Sequence, residues 1–223
     1  MNASAHNCDN GIVWYEDVGL RFARECDICA PIHRAARLQA ICGLTDAERS
    51  VRLDDLNTTG SDTQAMIDAC RSFAGRPSGI LTLWGGTGNG KTLALQAIVN
   101  ECLERSLSAT YTTMYDLAGY VREAYNTSNE SAWVRVRLLQ NVNVLAIDEF
   151  DKLKETDWTR ELEMAVIDRR YRYGLSGTIG TMIAMNESPD GLPIWIRSRL
   201  LDGRNHVIRN GDPDVRPAMR INI

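Results

Sequence analysis

The chain has 223 residues, 44% of them hydrophobic and 24% charged, with a formal net charge of −4 at pH 7. This composition excludes a mostly disordered chain, a collagen and a coiled-coil rod, and no apolar run approaches the ~18 residues that a membrane span needs. The length suits one large domain or a domain with an appendage. The N-terminal MNASAHNCDNG lacks the cationic and apolar segments of a secretory signal, so the expected location is the cytoplasm.

Residues 1–56 form the first region and hold four of the six cysteines, Cys8, Cys26, Cys29 and Cys42. In a reducing compartment these are expected as thiols or metal ligands rather than disulfides. The region starts irregularly and turns helical over Ala30–Ala40, with Gly43 as a stop and Thr45-Asp46 as a restart. Cys26-x-x-Cys29 has metal-ligand spacing. Cys8-Asp9-Asn10-Gly11 looks like the latter half of a zinc-ribbon knuckle, whose usual first Cys would fall at Ala5. Cys8, Cys26 and Cys29 are therefore candidate Zn²⁺ ligands, with His6, His33 or Cys42 as a fourth. The alternative is three unrelated thiols.

The loop NTTGSD opens the second region, 57–223. Met66, Ile67, Cys70 and Phe73 give Thr63–Ala74 an amphipathic helical period. From there strands and helices alternate. Ile80–Trp84 reads as a buried strand, Lys91–Arg105 as a helix, and Ala109–Thr113 as a β-branched and aromatic strand. Helices follow at Tyr115–Tyr125 and Ser131–Gln140, then a strand at Val142–Phe150 and a long helix at Asp157–Tyr173. Thr178–Met185 is a strand, Pro193–Leu201 a short helix and His206–Arg209 a last strand. Continuous apolar strands alternating with helices predict an α/β fold with a parallel sheet flanked by helices.

Gly85-Gly86-Thr87-Gly88-Asn89-Gly90-Lys91-Thr92 fits G-x-x-x-x-G-K-[ST], between a strand and a helix as that motif requires. Gly86, Thr87, Gly88, Asn89 and Gly90 would turn backbone N–H groups toward phosphates, helped by the helix N-terminus. Lys91 would contact the β- and γ-phosphates of ATP, and the Thr92 hydroxyl would ligate Mg²⁺. Downstream, Val144–Asp148 is an apolar run ending in Asp148-Glu149. Asp148 is the expected Mg²⁺ partner through water, and Glu149 the expected general base. Asn186 ends a further apolar strand. If that strand lies between the two motif strands, Asn186 sits near the γ-phosphate and orients the attacking water.

GGTGNGKT, IDEF, MIAMN and IRSRL together resemble an AAA+ ATPase of the P-loop class over about residues 60–210. The nearest subgroup is the bacterial and phage helicase loaders (DnaC/DnaI-like), with the IstB-like transposition helper ATPases beside it. The resemblance implies Mg²⁺-dependent ATP hydrolysis and a trans-acting Arg: Arg199 first, then Arg197 and Arg204. It implies a replicative helicase as partner, bound through residues 1–56, together with single-stranded DNA and a homo-oligomer or mixed assembly. An IstB-like helper that organises DNA for a transposase is the alternative. A P-loop kinase is disfavoured by Glu149, Asn186 and the Arg-rich segment. Asn210–Ile223 is too short for the family's helical lid, so none is expected, and Arg216 is left without a role.

Overall fold

The computed structural model describes residues 8, 12–56, 60–125, 131–177 and 179–216. The chain divides into two compact units, 1–40 and 41–223. In the first, β1 (Ile12–Asp17) and β2 (Leu20–Glu25) form an antiparallel hairpin, followed by α1 (Cys29–Ile41). The sequence had suggested an irregular start here. Two features hide the hairpin. Trp14, Tyr15, Leu20 and Phe22 are all exposed, so neither strand shows the alternation of a half-buried one. The turn is Val18-Gly19, both at positive φ (48° and 75°), and a β-branched residue there is not a turn signal.

Residues 41–56, read from the sequence with the N-terminal region, belong to the larger unit, and Leu44, Leu53 and Leu56 lie in its core. They carry two 3-10 turns, Glu48–Ser50 and Leu53–Asp55, whose shortness leaves no periodicity to read. Then come α2 (Ser61–Gly75), β3 (Gly79–Trp84), α3 (Lys91–Glu104), β4 (Ala109–Thr113), α4 (Met114–Glu123) and α5 (Ala132–Asn141). β5 (Val144–Asp148), α6 (Asp157–Gly174), β6 (Gly180–Met185), α7 (Ile194–Leu200) and β7 (His206–Arg209) complete it. The Thr113 hydroxyl caps α4 by accepting the Asp116 N–H, and Thr156 with Thr159 caps α6.

The five strands pair in parallel in the order β4-β5-β6-β3-β7. Successive side chains leave a strand on opposite faces. Leu81, Leu83, Val144, Ala146, Met182 and Ala184 meet Met66, Ile67, Leu95 and Ile98 of α2 and α3 in one core. On the other face, Arg170 of α6 donates through Nε to Thr181 of β6. Arg170 is fully buried, and its remaining bonds go to the carbonyls of Leu139, Val142 and Gly180. β6 therefore lies between β5 and β3, as the Asn186 expectation required. No helix among the described residues is long and apolar enough to cross a membrane.

Candidate functional site

The phosphate-loop glycines take conformations that side chains disfavour. Gly85 has φ 133°, and a Cβ there would meet the Asn210 carbonyl at 2.0 Å. Gly88 has φ 72°, and its Cβ would strike the Asp214 carboxylate. The segment after β7 thus lies directly against the loop. Asn89, a variable position of the motif, is buried, donates to the Asn210 carbonyl and accepts from Lys91 Nζ. Asn210 donates back to the Asn89 carbonyl.

Lys91 opens α3 and is only 6% exposed. Its Nζ donates to the carbonyls of Gly85 (2.8 Å) and Gly86 (2.5 Å) and to Asn89 Oδ1 (3.0 Å). Burial lowers its pKa, while Asp148 and Asp151 pull it back. A desolvated ammonium whose hydrogen bonds all go to neutral oxygens is a donor set that an anion completes. The residues present therefore fit a bound phosphate. Gly86 touches this arrangement through its carbonyl alone.

Asp148 ends β5 and is buried. Its Oδ1 accepts the Glu149 N–H at 2.8 Å, and its Oδ2 accepts the Tyr111 hydroxyl at 3.0 Å. Burial, then the Asp148 charge, holds the Tyr111 hydroxyl far above the usual phenol range, so it remains a donor. Glu149 is exposed and left-handed (φ 50°, ψ 40°), a strained conformation for a non-glycine residue. That kink ends the strand earlier than the apolar run suggested and turns Glu149 away from the sheet.

A cavity of about 250 Å³ is lined by Thr87, Gly88, Asn89, Gly90, Lys91 and Thr92 together with Asp148, Glu149 and Asn186. Thr63, Leu56 and Arg216 line it as well. The structure thus gathers residues far apart in sequence around one space. Sequence reasoning named Asn89 for its backbone but not for its side-chain bonds, left Arg216 without a role, and missed Tyr111, which reaches the site through Asp148. A Tyr on a buried strand did carry a signal, because its hydroxyl needs a partner there. Arg216 pairs with Asp214 at 3.1 Å.

The three candidate trans-acting arginines do not line this cavity. Arg199 of α7 binds Asp168 of α6 through Nε (3.0 Å) and Nη2 (2.5 Å). Arg197 donates to the Asp190 carbonyl, and Arg204 grips Asp202 beside Tyr171.

In the smaller unit, the sulfur atoms of Cys8, Cys26 and Cys29 all lie within 4.8 Å of one another, and Cys8 and Cys29 are 3.6 Å apart. Ligands at ~2.3 Å around a tetrahedral zinc would have sulfurs ~3.8 Å apart, so the three thiols fit that ion. The Cys29 backbone N–H lowers the Cys26 pKa, whereas burial pushes Cys29 up to about 11. His6 and the His33 side chain lie outside the described residues. Cys42 belongs to the larger unit, packed against its core.

The family model of the ATPase family associated with various cellular activities matches residues 81–200. The chain is 29% identical over 132 residues to the replicative helicase loader DnaI of Bacillus subtilis, covering 58% of this chain and 40% of that protein. It is 30% identical over 86 residues to the replicative helicase loader DnaC of Escherichia coli K12, covering 39% and 35%. The chain spans well under half the length of these curated relatives. A crystal structure of the DnaC helicase loader has the same fold, with a TM-score of 0.56 at 19% identity over 74% of this chain and 99% of that chain.

Proposed function

The chain belongs to the AAA family of ATPases, and from that premise we propose that it is an ATP-hydrolysing replication accessory protein that loads or recruits a replicative helicase onto DNA. The observation that carries the ATPase reading is the single cavity shared by Lys91, Thr92, Asp148, Glu149 and Asn186. Gly86–Gly90 supply backbone N–H groups to the phosphates, and Lys91 exchanges its three neutral oxygens for phosphate oxygens. Thr92 and, through water, Asp148 would hold Mg²⁺, which would neutralise developing charge on those oxygens. Glu149 takes the proton of the attacking water, and Asn186 orients that water.

Similarity to DnaI and DnaC supports the loading role. In this reading the smaller unit engages the helicase and carries Zn²⁺ on Cys8, Cys26 and Cys29, and single-stranded DNA is the nucleic-acid partner. Copies of the chain assemble so that Arg199 of one reaches the γ-phosphate of the next, with Arg197 and Arg204 as the other candidates. The test is association of the purified chain with a hexameric replicative helicase from the same source, with and without ATP. ATP-dependent co-elution and transfer of the helicase to single-stranded DNA are expected. Failure to associate in either state would remove the helicase from the proposal and leave the ATPase.

A further inference from the structure

Asp151 has no part in the mechanism above, yet its carboxylate is one of the most buried acids in the larger unit. Its side chain is 7% exposed. Oδ2 accepts two backbone N–H groups, from Asn186 at 3.1 Å and Glu187 at 3.0 Å. Oδ1 is buried and has no hydrogen-bond partner among the described residues. Lys152 Nζ is 4.0 Å from Oδ2, at the limit of ion pairing. The acid is thus committed to the end of β6, at the point where Asn186 leaves the sheet.

The backbone explains what that bond does. Strands β5 and β6 pair through Ile147 and Ile183, and their ladder goes no further. Past that point, Glu149 and Asn186 sit on two chain segments that sheet hydrogen bonds no longer hold together. Glu149 opens a tight turn, closed by the Lys152 N–H on the Glu149 carbonyl at 3.0 Å. Asp151 belongs to the same turn. Its carboxylate therefore ties the Glu149 turn to the Asn186 backbone where the ladder stops. An ionised acceptor shared by two N–H groups makes a stronger tie than a neutral one.

We propose that Asp151 is a positioning residue for ATP hydrolysis: by clamping the backbone N–H groups of Asn186 and Glu187, it fixes the Asn186 side chain relative to Glu149. The proposal rests on the reading of Glu149 and Asn186 as the pair that handles the attacking water. Asp151 itself touches neither nucleotide nor water. The Asp151 charge also acts on Lys91, but the Lys91 hydrogen bonds go to Gly85, Gly86 and Asn89, so the main effect of Asp151 falls on the rate of the hydrolytic step. Misplacement by about 1 Å costs on the order of 10²-fold in rate.

The test is a double-mutant cycle on the full chain, measuring steady-state ATP turnover and the affinity for a fluorescent ATP analogue. Asp151→Ala should lower kcat ~10–100-fold with analogue affinity within about twofold of wild type. In an Asn186→Ala background, the same change should cost nothing more, since the group it positions is gone. Asp151→Asn offers an acceptor oxygen at the shared point and should recover most of the rate. If Asp151→Ala does not fold, the Asp151→Asn cycle stands alone. Its smaller loss should also vanish when Asn186 is absent. Wild-type turnover in Asp151→Ala, or a loss that multiplies with that of Asn186→Ala, overturns the proposal and leaves the roles of Glu149 and Asn186 standing. Wild-type turnover in Asn186→Ala overturns the underlying reading, and this proposal with it.

Discussion

The Tyr111 hydroxyl donates to Asp148 Oδ2 at 3.0 Å, across the pairing of β4 with β5. The phenol stays protonated through the working pH range, so it fixes one oxygen of the carboxylate assigned to Mg²⁺. Groups that orient a metal-binding carboxylate typically contribute ~10–100-fold in metal affinity or activity. Tyr111→Phe retains the buried ring and removes the donor. The expected outcome is a rise of that order in the Mg²⁺ concentration needed for half-maximal ATP turnover, read from a magnesium titration. An unchanged titration would mean that Asp148 needs no orienting donor.

Lys91 and Glu149 line one cavity and should separate cleanly when changed. Lys91→Ala removes the ammonium that now rests on three neutral oxygens, and nucleotide binding should be lost. Glu149→Gln preserves shape and removes the base. That protein should bind ATP and turn it over at least ~100-fold more slowly. A fluorescence binding assay beside a phosphate-release assay decides both. ATP affinity in Lys91→Ala, or wild-type turnover in Glu149→Gln, would count against the assigned roles.

The parts of this site legible in the sequence are those encoded by short-range pattern. The glycine loop has a fixed spacing, and apolar strands ending in Asp148 and Asn186 announce buried parallel β-structure. The strand order entered only as a condition: Asn186 serves the site if β6 lies between β5 and β3, which is the order observed. What stayed hidden depends on contacts between distant segments. Tyr111 reaches Asp148 only through strand register, Asn89 reaches Asn210 over 121 positions, and Asp151 reaches Asn186 only past the end of a ladder. The hairpin of the smaller unit was illegible for a different reason. Trp14, Tyr15, Leu20 and Phe22 face solvent, so burial imprinted no period on them.

Glu163 gives the larger unit a predicted pH dependence. Burial, reinforced by Glu155 and opposed by Arg160, raises its carboxyl pKa from 4.5 to about 7. A folded-state pKa above the unfolded one means that the folded chain binds the extra proton between those values. Stability from this group is therefore present below pH 4.5 and lost as pH rises through 7. The shift corresponds to at most about 3 kcal/mol. Glu163→Gln should raise the melting temperature at pH 8 by up to ~10 °C and change it little at pH 4.5. Equal shifts at both pH values would show that packing, not protonation, governs this position.

The thiol cluster makes a compositional prediction. Removing a zinc ligand lowers metal affinity, and the fold around a structural zinc depends on the ion. Protein purified without chelator should carry one equivalent of zinc by elemental analysis, and Cys26→Ser should lose it. Cys70, a buried residue of α2 in the other unit, serves as the control: Cys70→Ser should leave zinc content unchanged. A wild-type protein without stoichiometric zinc would reduce the cluster to three neighbouring thiols.

Arg199 is the strictest test of assembly. Its guanidinium is held by Asp168 and only 24% exposed, and it lies off the cavity of its own chain. In the proposed assembly, an Arg so placed would meet a γ-phosphate across an interface, once Asp168 releases or presents it. Arginine fingers of this kind contribute ~10³–10⁵ in rate in well-studied switch nucleotidases. Arg199→Ala should keep ATP binding and lose the part of turnover that grows with protein concentration. Mixing it with Lys91→Ala protein then separates trans from cis action. The first contributes an intact pocket without a finger, the second an intact finger without a pocket. Turnover recovered in the mixture assigns the finger to Arg199 acting between copies. A mixture that co-assembles on a sizing column and stays inactive would count against Arg199 and turn attention to Arg197, then Arg204.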